Sequence, residues 1–416
     1  MATSVNSALS TRERLERARD AAPRVAELSS TQKNDLLRRM ADAIEADAPS
    51  ILAANKKDVE AGTVQGAVRD RLLLTRERIA AIAKAVREVV SLSDPVGETI
   101  AEWRRPNGLL IRKVRVPLGV VGIIYESRPN VTVDTVALAL KTGNAIVLRG
   151  GKEAMHSNQE LVRVLSSVPG LPEGAIQLLD STTRDSVQEL IEGRGLVDVI
   201  IPRGGAGLIN FVVENSVVPV IETGAGNCHV FVDESADLEM ADRIVINAKT
   251  QRPSVCNAAE KLLVHRQIAA RYIPQIAKKL GELNVELRGD EAAVGLVSAI
   301  RPATEEDWSE EYLRLCLAIK VVSDVEEAIT HINRYSTKNS EAIVTENEEN
   351  AGRFLRAVDS AAVYWNASTR FSDGGEFGFG AEMGISTQKL HCRGPFALAE
   401  LTSSKYEIFG SGQVRT

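Results

Sequence analysis

The chain has 416 residues, 44% of them apolar and 25% charged, which is the balance of a folded globular protein of two or three domains and excludes a disordered or fibrous one. With 50 Lys and Arg against 56 Asp and Glu the formal net charge is −6, so no broad basic surface for nucleic acid is expected, and an anionic ligand needs a local site.

The N-terminus has no apolar run and carries Glu13 early, which predicts neither a secretory signal nor an organellar transit peptide. The longest apolar run, Val116 to Tyr125, is about half of the ~18 residues a membrane span requires. The first ~90 residues read as helices. Leu36, Leu37, Met40, Ile44, Ile51 and Leu52 recur at helical spacing within 31–59, and Thr75-Arg76-Glu77-Arg78 opens a helix carrying Val86, Val89 and Val90. From residue 115 short β-rich runs alternate with helical stretches. Strands are predicted at 120–126, 145–149, 175–180, 198–203 and 218–223, with helices near 131–141 (closed by Gly143), 152–166, 183–192 and 205–214. Continuous apolar strands separated by helices predict a doubly wound α/β domain, its parallel sheet covered on both faces and its ligand at the carboxyl ends of the strands. A second α/β series follows. Its strands are predicted at 229–233, 261–265, 318–322, 342–346 and 361–366, with helices from about 236, near 267–280, from Val325, and up to about 357. Residues 367–394 predict a long ordered loop, and the segment Phe396–Ile408 after it an edge strand.

No Gly-x-Gly-x-x-Gly opens a helix after a strand, and Gly151-Lys152 is followed by Glu153, so neither a dinucleotide fingerprint nor a P-loop is present. Two weaker features remain at strand ends, Gly150-Gly151-Lys152 and Gly204-Gly205-Ala206-Gly207. Glycines there allow close backbone approach and a following helix N-terminus favours an anion; plain turn chemistry is the alternative. The cysteines at 228, 256, 316 and 392 form no Cys-x-x-Cys, which predicts a reducing, cytoplasmic setting. The histidines at 156, 229, 265, 331 and 391 lack metal-ligand spacing, so no metal is expected. Cys228, Cys316 and Cys392 read as small buried hydrophobes. Cys256 follows an Arg-Pro break, with Lys249 and Arg252 close in sequence; it reads as a thiol at or near a helix N-terminus and a candidate nucleophile. Asn130, at a loop-to-helix junction, reads either as an N-cap or as an amide donor to an oxyanion, and Arg128 beside it as a carboxylate or phosphate ligand.

Three stretches carry a resemblance: Gly122–Thr132 (GIIYESRPNVT), Asn247–Asn257 (NAKTQRPSVCN) and Ser372–Leu390 (SDGGEFGFGAEMGISTQKL). They resemble the gamma-glutamyl phosphate reductase family of the aldehyde dehydrogenase superfamily, and the likeness runs from about residue 10 to the C-terminus. It implies an aldehyde-dehydrogenase-like fold, which accounts for a dinucleotide site without the usual fingerprint. It further implies a cofactor-binding domain at 1–225, with 100–116 in a small β flap used for oligomerisation and part of 367–394 returning to it. A catalytic domain at 226–366 and an oligomerisation strand at 395–416 complete the implied organisation.

The resemblance also implies roles. Cys256 is the nucleophile, and Asn130 with the Cys256 N–H forms the oxyanion hole. Lys152 contacts the adenosine ribose or its 2′-phosphate, Gly204 and Gly205 turn at the pyrophosphate, and Glu311 bonds the nicotinamide ribose, although the family's Phe-Gly-Pro is absent after it. Glu222 matches the water-activating glutamate of hydrolytic relatives; a reductase must spare its thioester, so Glu222 is expected to contact the cofactor or turn away. Arg128, Arg252 and Arg370, with Gly378 in the glycine loop 374–380, are the candidates for holding the substrate. The implied activity is NADPH-dependent reduction of L-glutamyl 5-phosphate, the second step of proline biosynthesis from glutamate. The implied partners are further copies of the chain and a glutamate 5-kinase that delivers the substrate. An aldehyde dehydrogenase acting on a free aldehyde with water, and a non-catalytic dinucleotide-binding relative, remain alternatives.

Overall fold

Local capping sets the first helices. Ser10 and Glu13 form a capping box at the start of α1 (Thr11–Ala26), and Ser29 with Gln32 does the same for α2 (Ser30–Ala46). The periodic stretch 31–59 is two helices rather than one. It breaks at Asp47 before α3 (Ala48–Glu60), because Pro49 has no N–H with which to continue the ladder. Next come α4 (Gly66–Leu72) and α5 (Arg76–Ser91), the latter capped by the Thr75 hydroxyl. The computed structural model describes residues 9–62, 66–179 and 185–415.

The chain divides between Glu222 and Thr223 into two units. The first holds these helices and continues through strands β1 (Thr99–Arg104), β2 (Leu110–Pro117) and β3 (Val120–Tyr125), helix α6 (Pro129–Lys141) and β4 (Ala145–Arg149). It then runs through α7 (Met155–Ser166), β5 (Ile176–Leu178), α8 (Asp185–Ile191), β6 (Val199–Arg203) and α9 (Ala206–Asn215). The expected strand over 175–180 and helix over 183–192 reach positions 180 and 183–184, which lie outside the described residues. The sheet order is β5-β4-β3-β6, all parallel. Val120, Ile124, Val147 and Ile200 pack with Leu15, Leu190 and Val212 from the helices to form a buried core. Because β3 lies between β4 and β6, the strand order reverses there, and a crevice at their carboxyl ends is the expected ligand position. The expected strand at 218–223 does not form. Only Val220 bridges to Ile200, since Pro219 has no N–H to extend the ladder.

The second unit contains β7 (Cys228–Val232), α10 (Leu238–Thr250), β8 (Ala259–His265), α11 (Arg266–Glu282), β9 (Glu286–Gly289) and α12 (Glu291–Leu296). It continues with β10 (Arg301–Pro302), α13 (Glu305–Ser309), β11 (Cys316–Val322), α14 (Val325–Tyr335), β12 (Ser340–Val344), α15 (Glu348–Ala357) and β13 (Ala362–Trp365). These strands form one parallel sheet, β10-β9-β11-β8-β7-β12-β13. Its core joins Val230, Leu262 and Ile319 to Ile244, Tyr272 and Ile276. The charged, four-residue β9 carries too little periodic signal to be read from sequence.

Residues 367–394 are not loop throughout. They include a 3-10 turn at Thr369–Phe371, β14 (Gly384–Ser386) and the first residue of β15 (Gly394–Phe396). Phe379–Gly384 and Phe396–Thr416 return to the first unit, where β16 (Thr402–Phe409) pairs antiparallel with β2, and β2 with β1. This small sheet leaves Ile100, Trp103, Tyr406 and Ile408 exposed. Among the described residues no helix is long and apolar enough to cross a membrane.

Candidate active site

In the first unit the candidate residues collect at the carboxyl ends of β3, β4 and β6. Pro129 occupies the first turn of α6, where its missing N–H costs nothing. The cap position is Arg128, which makes no side-chain cap bond. The N-cap reading of Asn130 is therefore overturned: Asn130 is already helical, and its exposed amide Nδ2 donates to Asp134 Oδ2 at 3.0 Å, one turn on. Burial pushes the Asp134 carboxyl up to about 6, against the opposing pull of the Asn130 amide and Arg203. The preceding loop is tied to the next strand end, because Glu153 Oε1 accepts from both the N–H (2.9 Å) and the hydroxyl of Ser127. Arg128 and Lys152 are exposed, the latter opening the 3-10 turn after β4.

At the end of β6 the glycines of 204–205 make the start of α9. A Cβ on Gly204 would stand 2.7 Å from the Glu126 carboxyl carbon, and the Gly205 N–H donates to Glu126 Oε2 at 3.0 Å. The helix start has no side-chain cap, and it already holds one anionic group. That is the donor set a dinucleotide pyrophosphate requires, so these residues fit such a cofactor. Glu222, half-buried, is the last residue of this stretch of the unit.

In the second unit Cys256 is not at a helix N-terminus. It lies half-buried in a turn between α10 and β8, closed by the Ala258 N–H donating to the Val255 carbonyl at 3.1 Å. Arg252-Pro253 prevents α10 from running into it. The Lys249 charge is taken up by an acid instead. Its ammonium is 2.9 Å from Glu260 Oε2, both side chains being fully buried. Burial pushes Lys249 down and Glu260 up, while their mutual attraction opposes both shifts. Removing one partner strands the other charge, so Lys249→Met is expected to lower unfolding free energy by about 3–5 kcal/mol in urea titrations. A loss under 1 kcal/mol would show that the pair is not needed.

The Cys256 turn is clamped from two sides. On one, Cys228 Sγ donates to the Cys256 carbonyl at 3.2 Å, and Gly226 lies so close that a Cβ there would stand 1.3 Å from the same oxygen. The Gly226 N–H donates to Glu311 Oε1 at 2.7 Å, and Asn227 Nδ2 donates to the carbonyls of Trp308 and Tyr335, each at 2.8 Å. Burial raises the Glu311 pKa, and the Gly226 bond opposes the rise. On the other side, Asn257 Nδ2 donates to the Ser372 carbonyl (2.8 Å) and the Asn257 carbonyl accepts from the Thr369 hydroxyl (2.7 Å). Arg370 therefore comes beside the turn, its Nε donating to Gln251 Oε1 at 2.8 Å. Burial lowers the Arg370 pKa, exposed Arg252 lowers it further, and the Cys256 thiol raises it. Asp373 and Cys228 raise it too, so two thiols, a carboxylate and a second cation all act on Arg370. Gly378, exposed at φ +80°, belongs to a loop organised by Asp373, whose Oδ1 accepts from the Gly375 N–H at 2.8 Å.

Cys228 and Gly226 were not legible as site residues. Cys228 is buried as expected, but it is also a donor to the Cys256 backbone. The one available signal was Gly224-Ala225-Gly226 placed directly before a strand. Among the described residues no group of three His, Cys, Asp or Glu could hold a metal ion.

The aldehyde dehydrogenase family model matches residues 3–313. A gamma-glutamyl phosphate reductase of Koribacter versatilis (strain Ellin345) is 70% identical over 98% of this chain and 100% of its own. Another, from Clostridium novyi (strain NT), is 58% identical over 96% of this chain and 97% of its own. The crystal structure of the Thermotoga maritima gamma-glutamyl phosphate reductase matches with a TM-score of 0.96 at 50% identity, covering 98% of this chain and 100% of that one. Full-length identity of this degree, with the cysteine turn and the fingerprint-free dinucleotide sheet, means that the chain belongs to the gamma-glutamyl phosphate reductases of the aldehyde dehydrogenase family.

Proposed function

We propose that this chain reduces L-glutamyl 5-phosphate to L-glutamate 5-semialdehyde with NADPH, releasing phosphate, as the second step of proline biosynthesis. The reading rests on full-length identity to reductases of that name. The observation that carries it is the clamped, half-buried Cys256 with Arg370 within electrostatic reach of it.

Cys256 Sγ attacks the acyl carbonyl carbon; the S–C bond forms as the C–O bond to phosphate breaks, and phosphate leaves with the electron pair. Phosphate leaves readily, so no strong general acid is needed. The Asn130 amide and the Cys256 N–H donate to the oxygen that becomes negative in the tetrahedral state. A dinucleotide of the nicotinamide class, once bound, supplies the hydride. Lys152, Gly204, Gly205, Glu222 and Glu311 are the residues proposed to hold it, with Lys152 favouring the 2′-phosphate of NADPH. Collapse of the resulting thiohemiacetal oxyanion expels the Cys256 thiolate and frees the aldehyde. Arg128, Arg252 and Arg370, with the Gly378 loop, bind the substrate's carboxylate and phosphate. Water must be kept from the thioester, so Glu222 is assigned to cofactor contact rather than to activating water.

The exposed apolar groups of β1 and β16 suit a homo-oligomer assembled through this sheet. Delivery of the labile acyl phosphate by a glutamate 5-kinase, in a reducing cytoplasm, belongs to the same proposal.

The test runs the reaction backwards, because the acyl phosphate is short-lived. Purified protein receives glutamate 5-semialdehyde and NADP⁺ with and without inorganic phosphate, and reduced cofactor is followed by absorbance. Phosphate-dependent reduction is expected. Reduction at the same rate without phosphate would instead identify a hydrolytic aldehyde dehydrogenase.

A further inference from the structure

The Asn130 amide is useful to an oxyanion in only one of its two orientations. Rotated by half a turn, it presents a carbonyl oxygen and repels the developing charge. Since neither the cap position nor a backbone donor holds this side chain, something else must select the nitrogen end. Asp134 lies one helical turn away on the same face of α6, with Oδ2 3.0 Å from Asn130 Nδ2. An ionised carboxylate only accepts, so it can pair with the amide nitrogen and not with the amide oxygen. An NH₂ group has two hydrogens. One is taken by Asp134 and the other is left over.

We infer that Asp134 is a positioning residue for the oxyanion donor: its carboxylate orients the Asn130 amide and leaves the second N–H for the reacting oxygen. The inference rests on the reading of Asn130 as that donor. It assigns Asp134 no contact with substrate or cofactor, only control of the group that makes one.

The surroundings of Asp134 suit the task. It is half-buried in the wall of a cavity lined by Val86, Glu88 and Val89 of α5, Ala137 of its own helix, and Glu382 of the returning segment. The charged and polar groups that act on it are Asn130 on α6 and Arg203 at the end of β6, while Glu88 on α5 and Glu382 share the cavity wall. Burial raises its pKa to about 6. Once protonated it can donate, and the amide oxygen then becomes an acceptable partner, so the orientation is released on the acid side of that value. The wild-type turnover number is therefore expected to fall below pH ~6 through a group that is neither the nucleophile nor a substrate ligand.

The experiment is a double-mutant cycle in the reverse assay, with thermal unfolding of each protein as a folding control. Asn130→Ala is expected to lower kcat by about 10²–10³. Asp134→Ala is expected to lower kcat about 10–100-fold with KM for semialdehyde and NADP⁺ within a factor of two or three, and the double variant to be no slower than Asn130→Ala alone. Asp134→Asn keeps the shape but, like the protonated acid, can also donate to the amide oxygen. It is expected to hold kcat several-fold or more below wild type at every pH and to lose the acid limb near pH 6, and it answers the same question where the alanine variant folds poorly. An Asp134→Ala effect that is absent, or that multiplies in full onto Asn130→Ala, overturns the inference, as does an unchanged acid limb in Asp134→Asn. If Asn130→Ala itself keeps the wild-type kcat, the oxyanion reading fails first and the role of Asp134 goes with it.

Discussion

Cys256→Ser is expected to lose turnover by a factor on the order of 10⁴–10⁶, with unfolding unchanged within about 1 kcal/mol. The side chain is half-buried in a turn whose bonds run through the backbone and through Asn257, Cys228 and Gly226. Exchanging sulfur for oxygen leaves those bonds in place. What it removes is the proposed nucleophile. A serine hydroxyl is far less acidic than a thiol and far less nucleophilic without a base to take its proton, and Arg370, within electrostatic reach of this thiol, cannot accept one. Arg370 does favour an anion at Sγ and, later, a carboxylate or phosphate near it. The comparison is made in the reverse assay with phosphate, alongside Cys256→Ala, with thermal unfolding of both variants. A serine enzyme within a hundredfold of wild type would remove covalent catalysis from the mechanism. Mass spectrometry after incubation with the semialdehyde and NADP⁺ but no phosphate is expected to show the acyl adduct on wild type alone.

Gly226→Ala is the second large effect, at a buried backbone position. A Cβ there would lie 1.3 Å from the Cys256 carbonyl oxygen and 2.2 Å from its carbonyl carbon. Both are backbone atoms, so no side chain can swing aside and the turn itself must move. Relief at ordinary contact distance displaces the nucleophile's peptide by more than an ångström, and a misplacement of that size costs about 10² in rate. It also strains the Gly226 N–H bond to Glu311 and the Cys228 bond to the same carbonyl. The expected result is a kcat lowered about a hundredfold or more, with stability reduced by about 1–3 kcal/mol. Steady-state kinetics, urea unfolding and the rate of Cys256 alkylation check it together. An alanine variant with wild-type kcat would mean that the turn accommodates the methyl group and that the clamp is not needed for catalysis.

These two positions differ in how visible they are along the chain. Cys256 stands out because a thiol after Arg-Pro, inside NAKTQRPSVCN, is a local chemical signature. Gly226 lies 30 residues before it, and its purpose exists only once β7 and β8 are neighbours in one sheet. Lys249 misleads for the same reason. It is seven positions from the cysteine, yet its ammonium is spent on Glu260, because the end of α10 packs over the start of β8 and neither charge could be buried alone. Asn130 falls between the two cases. Its pairing with Asp134 is an i, i+4 relation that helical geometry makes readable, whereas the cap reading fails because Pro129 starts the helix one residue earlier.

By itself the amino-acid sequence determined the α/β alternation, the run of N-terminal helices and the identity of the chemical groups. Those properties are written in short-range periodicity, in Pro and Gly punctuation and in contiguous motifs, all of which survive in an unfolded chain. Only the tertiary structure decided that 218–223 contributes one bridge instead of a strand, that the thiol sits in a clamped turn instead of at a helix end, and that Phe379–Gly384 and Phe396–Thr416 rejoin the first unit. The clamped turn depends on which buried polar groups find partners across 28 to more than 100 residues of chain, from Cys228 with Cys256 to Asn257 with Ser372. Long-range hydrogen bonding of that kind is settled by packing, and no local pattern records it.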